Sequence, residues 1–139
     1  MPRPQPLRER IKARIQKSRD TVFLTREFKA MADEDQVIRA LRQLVADGEL
    51  VRLGYGVYGR AERSSLTGKP MLSNPNGFSG AAREALNKLG VAWRPSHWEE
   101  AYNSGQSTQV PVNAILRVKG RFSRQLSYQN RPLMLEKKG

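Results

Sequence analysis

The chain has 139 residues, enough for one ordinary domain or a small domain with an appendage, and its 38 % hydrophobic content supports a modest core. With no cysteine and a single histidine, the sequence leaves out a disulfide framework, a thiol nucleophile, a zinc-finger ligand set and a histidine metal cluster. The formal net charge of +12 points to a polyanionic partner, because Lys and Arg neutralising phosphates supply most nonspecific nucleic-acid affinity; an acidic protein or an anionic membrane fits the same charge.

Residues 1 to 6 hold three prolines and read as an extended arm. Leu7, Ile11 and Ile15 then make an i, i+4, i+8 apolar stripe on a first helix, whose other faces carry Arg8, Arg10, Lys12, Arg14 and Lys17. Those cations read two ways that are compatible, as an ordinary solvated face or as a phosphate clamp beside a groove. Val22, Phe23 and Leu24 form a short β-prone run, and Thr25 is placed to cap a second helix across Arg26 to Met31 with Phe28 turned inward.

The stretch from Asp33 to Tyr58 organises the rest. Val37, Ile38, Leu41, Leu44 and Val45 recur at helical spacing on one face, and Gln36, Arg39 and Gln43 occupy the opposite one, with Arg42 and Ala46 at its margins. Arg and Gln side chains suit guanine and adenine edges, and a helix fits the major groove, about 12 Å wide. Gln36 and Gln43 stand roughly 10 Å apart along the axis, which lets them sample neighbouring base pairs. Asp33 with Gln36 resembles a capping box, and Gly48 supplies the residue that ends the helix. Asp33, Glu34 and Asp35 favour the helix dipole but repel phosphates, so base reading shifts towards Arg39 and Gln43. Glu49 to Leu53 and Val57 to Arg60 then read as a hairpin turned through Gly54, Tyr55 and Gly56. A short apolar hairpin cannot stand alone in water and must pack on the preceding helices. Three helices followed by a hairpin are the winged helix-turn-helix arrangement, in which Arg52, Tyr55 and Arg60 touch backbone or minor groove.

Gly54, Gly56 and Gly59 also spell GxGxxG, but β-prone Val57 and Tyr58 follow where a dinucleotide site needs a helix to open. Gly68 and Lys69 lack the upstream glycine of a P-loop. From Ala61 to Gly80 the composition turns to Ser, Gly, Asn and Pro, which reads as a long loop or linker. Ala81, Ala82, Ala85, Leu86 and Leu89 then give a small-residue helix face ending at Gly90. Ser96 with Glu99 forms a capping box for a short helix to about Asn103, with Trp93, Trp98 and Tyr102 around it. His97 lies in that box as a capping-turn histidine, since no nucleophile or carboxylate is arranged to make a triad with it. Segments at Ala114 to Val118, Arg124 to Tyr128 and Leu133 to Leu135 alternate enough for three strands, with turns at Gly120 and Asn130; seven cations face one carboxylate from Ala114 onward.

The expected architecture is α+β, with an N-terminal winged helix-turn-helix over residues 1–61, a linker over 62–79 and a small α+β unit with a short antiparallel sheet over 80–139. No run of about 18 apolar residues is present, and MPRPQPLRERIKARIQ lacks the apolar region of a secretory signal; the expected location is the cytoplasm.

The basic first helix, DQVIRALRQLVADGELVRLGYGVYGR, LTGKP and AYNSGQSTQVP at 101 to 111 together resemble the AbiEi-type antitoxins of type IV toxin–antitoxin systems, over about Leu7 to Val118. The resemblance implies an N-terminal winged helix that binds repeats in its own promoter and represses the operon, and a C-terminal region that counteracts a nucleotidyltransferase-like toxin without a stable complex. The C-terminal part here is shorter than in the longer antitoxins. The resulting expectation is a sequence-specific, autoregulatory DNA-binding repressor, a monomer or homodimer on double-stranded DNA. It places Gln36, Arg39 and Gln43 on base edges, and Arg8, Lys12, Arg42, Arg52, Tyr55 and Arg60 on backbone or wing contacts. The alternative is an interaction module whose basic C-terminal sheet binds RNA or an acidic protein. No enzymatic activity, metal, cofactor or membrane partner is expected.

Overall fold

In the computed structural model of the chain, the described residues are 6–97, 115–118, 125–129 and 131–135. Their architecture is α+β, with three α-helices and small sheets. In chain order the elements are α1 (Leu7–Lys17), β1 (Val22–Leu24), a 3-10 turn η1 (Thr25–Phe28), α2 (Glu34–Ala46), β2 (Leu50–Gly54), β3 (Val57–Arg63), β4 (Pro70–Leu72), α3 (Gly77–Lys88), β5 (Trp93–Pro95), β6 (Ile115–Val118), β7 (Ser127–Tyr128), β8 (Arg131–Pro132) and β9 (Met134–Leu135).

The central sheet runs β1-β3-β2, with β4 also paired to β3, and every pairing in it is antiparallel. Because successive strand side chains point to opposite faces, β1 divides its three residues between two cores. Phe23 joins Ile11, Ile15, Phe28, Val37, Leu41, Leu44, Leu50 and Tyr58 beneath α1 and α2. Val22 and Leu24 join Leu53, Val57, Leu72, Ala81, Ala82, Ala85, Leu86, Leu116 and Leu126 beneath α3 and the C-terminal strands. On β2 the same alternation sends Leu50 to the first core and Val51 and Leu53 to the second, and the register with β3 shifts between Arg52 and Gly54. The sheet is therefore covered on both faces.

Several expectations change. The helix expected across Arg26 to Met31 is only the turn η1, and its cap is not Thr25: the Glu27 carboxylate accepts the Leu24 N–H at 2.6 Å. Asp33 precedes α2 without a side-chain capping bond, so the expected box with Gln36 does not form. Gly48 ends α2 as expected, in the left-handed region at φ 80°. In the hairpin turn it is Gly56, at φ 68°, that needs the glycine conformation, whereas Gly54 is held by close approach: a Cβ there would stand 2.5 Å from the Gln125 carbonyl oxygen.

The stretch expected as a loop or linker carries structure. β3 continues to Arg63, and Ala61, Glu62 and Arg63 pair with Leu72, Met71 and Pro70 of β4. The connecting turn is organised by the Ser64 hydroxyl, which accepts the N–H groups of Leu66 and Thr67. Beyond α3, β5-β6 is antiparallel but β6-β9 is parallel, so the expected antiparallel sheet is mixed. The expected helix from Ser96 to Asn103, the neighbourhood of Trp98 and Tyr102, and the turns at Gly120 and Asn130 lie outside the described residues.

Polar ties lock α3 to the first strand and turn. The Glu84 carboxylate accepts the backbone N–H groups of Thr21 and Val22 and the Thr21 hydroxyl, which in turn accepts from Asn74. Lys88 Nζ reaches Asp20 at 2.8 Å and Glu27 at 2.8 Å and lies 5.0 Å from the centre of the Phe23 ring. Burial opposes the charge on Lys88, but the hydrogen bonds and charges of Asp20 and Glu27 outweigh it and hold the ammonium above the ordinary lysine range.

Candidate nucleic-acid interface

α2 buries Val37, Ala40, Leu41 and Leu44. Gln36, Arg39 and Gln43 stay exposed on its outer side and, among the described residues, have no side-chain partner. They line one open groove of about 740 Å³ between α2, the start of α1 and the segment after η1. Arg8 and Arg10 enter it from α1 and Lys29 from the far side, so four cations with Arg39 face the single carboxylate of Asp33. Two exposed amides and a guanidinium among these cations can donate to and accept from base edges while the cations hold phosphates. Arg10 is one of the first-helix cations that read as a phosphate clamp, whereas Lys29 was missed by sequence reasoning: it approaches from the segment after η1, and no spacing along α2 could announce it.

The expected backbone contacts divide. Arg42 is exposed on α2 outside the groove lining. Arg52 is exposed on β2 opposite Tyr58, and Tyr55, 71 % exposed, sits at the β2–β3 turn. On α1, Arg8 Nη2 stands 3.0 Å from Asp47 and 3.3 Å from Glu9, and Lys12 Nζ stands 3.4 Å from Glu49. Both cations thus already face carboxylates at the end of α2. Such exposed pairs are worth about 0–1 kcal/mol each, so a phosphate can displace them.

Arg60 is a correction. Its guanidinium is turned inward, where it donates to the carbonyls of Ile15 at 2.7 Å, Ser18 at 2.6 Å and Asp20 at 2.9 Å, and packs 5.7 Å from the Phe23 ring centre. It closes the C-terminal end of α1 instead of facing a ligand. The physical cause is strand parity: Arg60 lies two residues after Tyr58 and so shares its face, towards α1.

The C-terminal histidine is also engaged. His97 Nε2 lies 3.3 Å from Arg117 Nη1, while Arg117 Nε donates to the Pro95 carbonyl at 2.8 Å. Among the described residues no group of three or more His, Asp or Glu is placed to hold a metal ion, and no helix is long and apolar enough to cross a membrane.

Residues 8–138 match the model of a family of unknown function, DUF6088. No curated protein and no solved structure matches the chain.

Proposed function

Since the chain belongs to this DUF6088 family, whose function is unknown, its role is read from its own side chains, and we propose that it is a sequence-specific DNA-binding transcriptional repressor of the winged helix-turn-helix type. The observation that carries the reading is the groove in which Gln36, Arg39 and Gln43 stand without partners inside a cationic rim. The element order α1, β1, η1, α2, β2, β3 with strand order β1-β3-β2 supports it, because that order presents a helix and a following turn on one side of a small sheet. In this reading α2 enters the major groove, Gln36, Arg39 and Gln43 meet base edges, and Arg10 and Lys29 join Arg8 on phosphates. Arg42, Arg52 and Tyr55 meet the flanking backbone.

The resemblance to AbiEi-type antitoxins extends the proposal to autoregulation, with repeats in the chain's own promoter as the target and a nucleotidyltransferase-like toxin as functional counterpart. STQVP at 107 to 111, on which that resemblance leans most, lies outside the described residues.

Titration of the DNA upstream of its own gene against a scrambled duplex across a salt series tests the reading. The upstream duplex is expected to bind about 10³-fold or more tightly. Arg39→Ala is expected to cost about 1–3 kcal/mol and to relax preference at one position, whereas Lys29→Ala weakens all sequences alike and lowers the salt slope by about 0.9. Equal affinity for the two duplexes would leave a nonspecific basic protein. Preference for RNA over both would make the chain the interaction module instead.

A further inference from the structure

A second concavity, of about 250 Å³, lies between η1, the first turn of α2, the β2–β3 turn and the end of α3. We propose that it is a binding site for a small monocyclic aromatic carboxylate. Its volume falls below the roughly 300–1,000 Å³ of pockets that take drug-sized ligands, which limits the occupant to one ring with a short substituent. Leu24, Val37 and Leu89 give it apolar walls and Tyr55 an aromatic one, a setting for a flat apolar body. Arg26 and Lys29 against the lone carboxylate of Glu34 select an anion. Arg26 is steadied by donating to the Lys88 carbonyl, and its planar fork matches a carboxylate better than an ammonium does.

Thr25 also lines this space, but its hydroxyl oxygen is buried beneath the surface without a hydrogen-bond partner, so the walls and the two cations carry the assignment.

Two of the walls belong to α2 and to the β2–β3 turn, so an occupant fixes the spacing between them. Taken with the DNA reading, on which this step alone rests, the ligand is an effector of operator binding. The site itself stands apart from that reading and is tested without DNA.

The test is calorimetric titration of the full chain with benzoate, and with benzamide as the neutral isostere, alongside thermal unfolding. Saturable binding of benzoate with a rise in Tm, and binding of benzamide at least about tenfold weaker, is the expected result. Arg26→Gln should lose the preference for benzoate over benzamide. Absence of saturable benzoate binding up to about 10 mM, equal binding of benzamide, or an undiminished preference for benzoate in Arg26→Gln would each overturn the proposal. If benzoate binds but no operator is recognised, the DNA reading fails and the site remains.

Discussion

Arg60 illustrates how a single cation is committed by its surroundings. By type and position it suits a phosphate, yet it donates to three carbonyls at the end of α1 and stacks on Phe23. Helix ends leave carbonyls without intrahelical partners, and a guanidinium that collects several of them makes charge-assisted bonds worth about 1.5–3 kcal/mol. Arg60→Ala is therefore expected to lower the unfolding free energy by about 2–3 kcal/mol in urea titrations while leaving the salt slope of DNA binding unchanged. A lowered slope with unaltered stability would return Arg60 to the interface. The opposite expectation holds for Asp47 and Glu49, whose carboxylates occupy Arg8 and Lys12. Asp47→Asn with Glu49→Gln should strengthen DNA binding at low salt, because two carboxylates that compete with phosphate for Arg8 and Lys12 are removed, and should steepen the log–log salt dependence. If the slope stays at its parental value, these two cations do not reach the backbone.

Among the elements, α1, α2 and the β2–β3 hairpin were legible because each is written in a local code: apolar spacing, a terminal glycine and a glycine turn. The three candidate base readers were legible for the same reason, lying on one helix. What the sequence hid was non-local. Ser, Gly, Asn and Pro between Ala61 and Gly80 read as a loop or linker, yet the stretch holds the end of β3, the start of α3 and β4, which is only three residues long and begins at Pro70, where an edge strand tolerates the missing donor. Glu27 caps η1 through a local bond, yet its tie to Lys88 spans 61 residues. That tie has a definite pH signature. Since Lys88 gains affinity for its proton on folding, its contribution is fully present below the ordinary lysine pKa of about 10.4 and is lost as pH rises through the higher folded value. The stability difference between the parent and Lys88→Met is thus expected to stay level from neutral pH to about 9.5 and to shrink in more alkaline buffer. A difference that vanishes near neutrality would mean that Asp20 and Glu27 do not hold the ammonium.

For the whole molecule, the sheet belongs to both halves of the chain. Val22, Leu24, Leu53 and Val57 are each at most 3 % exposed, and all four face the core built with α3, Leu116 and Leu126. Burying such side chains is worth about 1.5–3 kcal/mol apiece, so uncovering four costs on the order of 6–12 kcal/mol, as much as the usual net stability of about 5–15 kcal/mol. A fragment of residues 1–61 is accordingly expected to show no cooperative thermal transition by circular dichroism. A sharp transition from that fragment would show that the first core suffices. Gly54→Ala is expected to weaken the same junction from the other side, because the new methyl meets the Gln125 carbonyl oxygen.

The placement of Glu84 and Lys88 also bears on how the protein is born. Their partners Thr21 and Asp20 precede them by 63 and 68 residues, and a ribosome adding about 5–20 residues per second delivers α3 roughly 3–14 s after β1. During that interval the nascent chain can pair β1, β3 and β2 and seal the side beneath α1 and α2, but the other side of the sheet meets water. Those seconds are when a chaperone or a neighbouring nascent chain has access to Val22, Leu24, Leu53 and Val57, and the emergence of α3 closes that window.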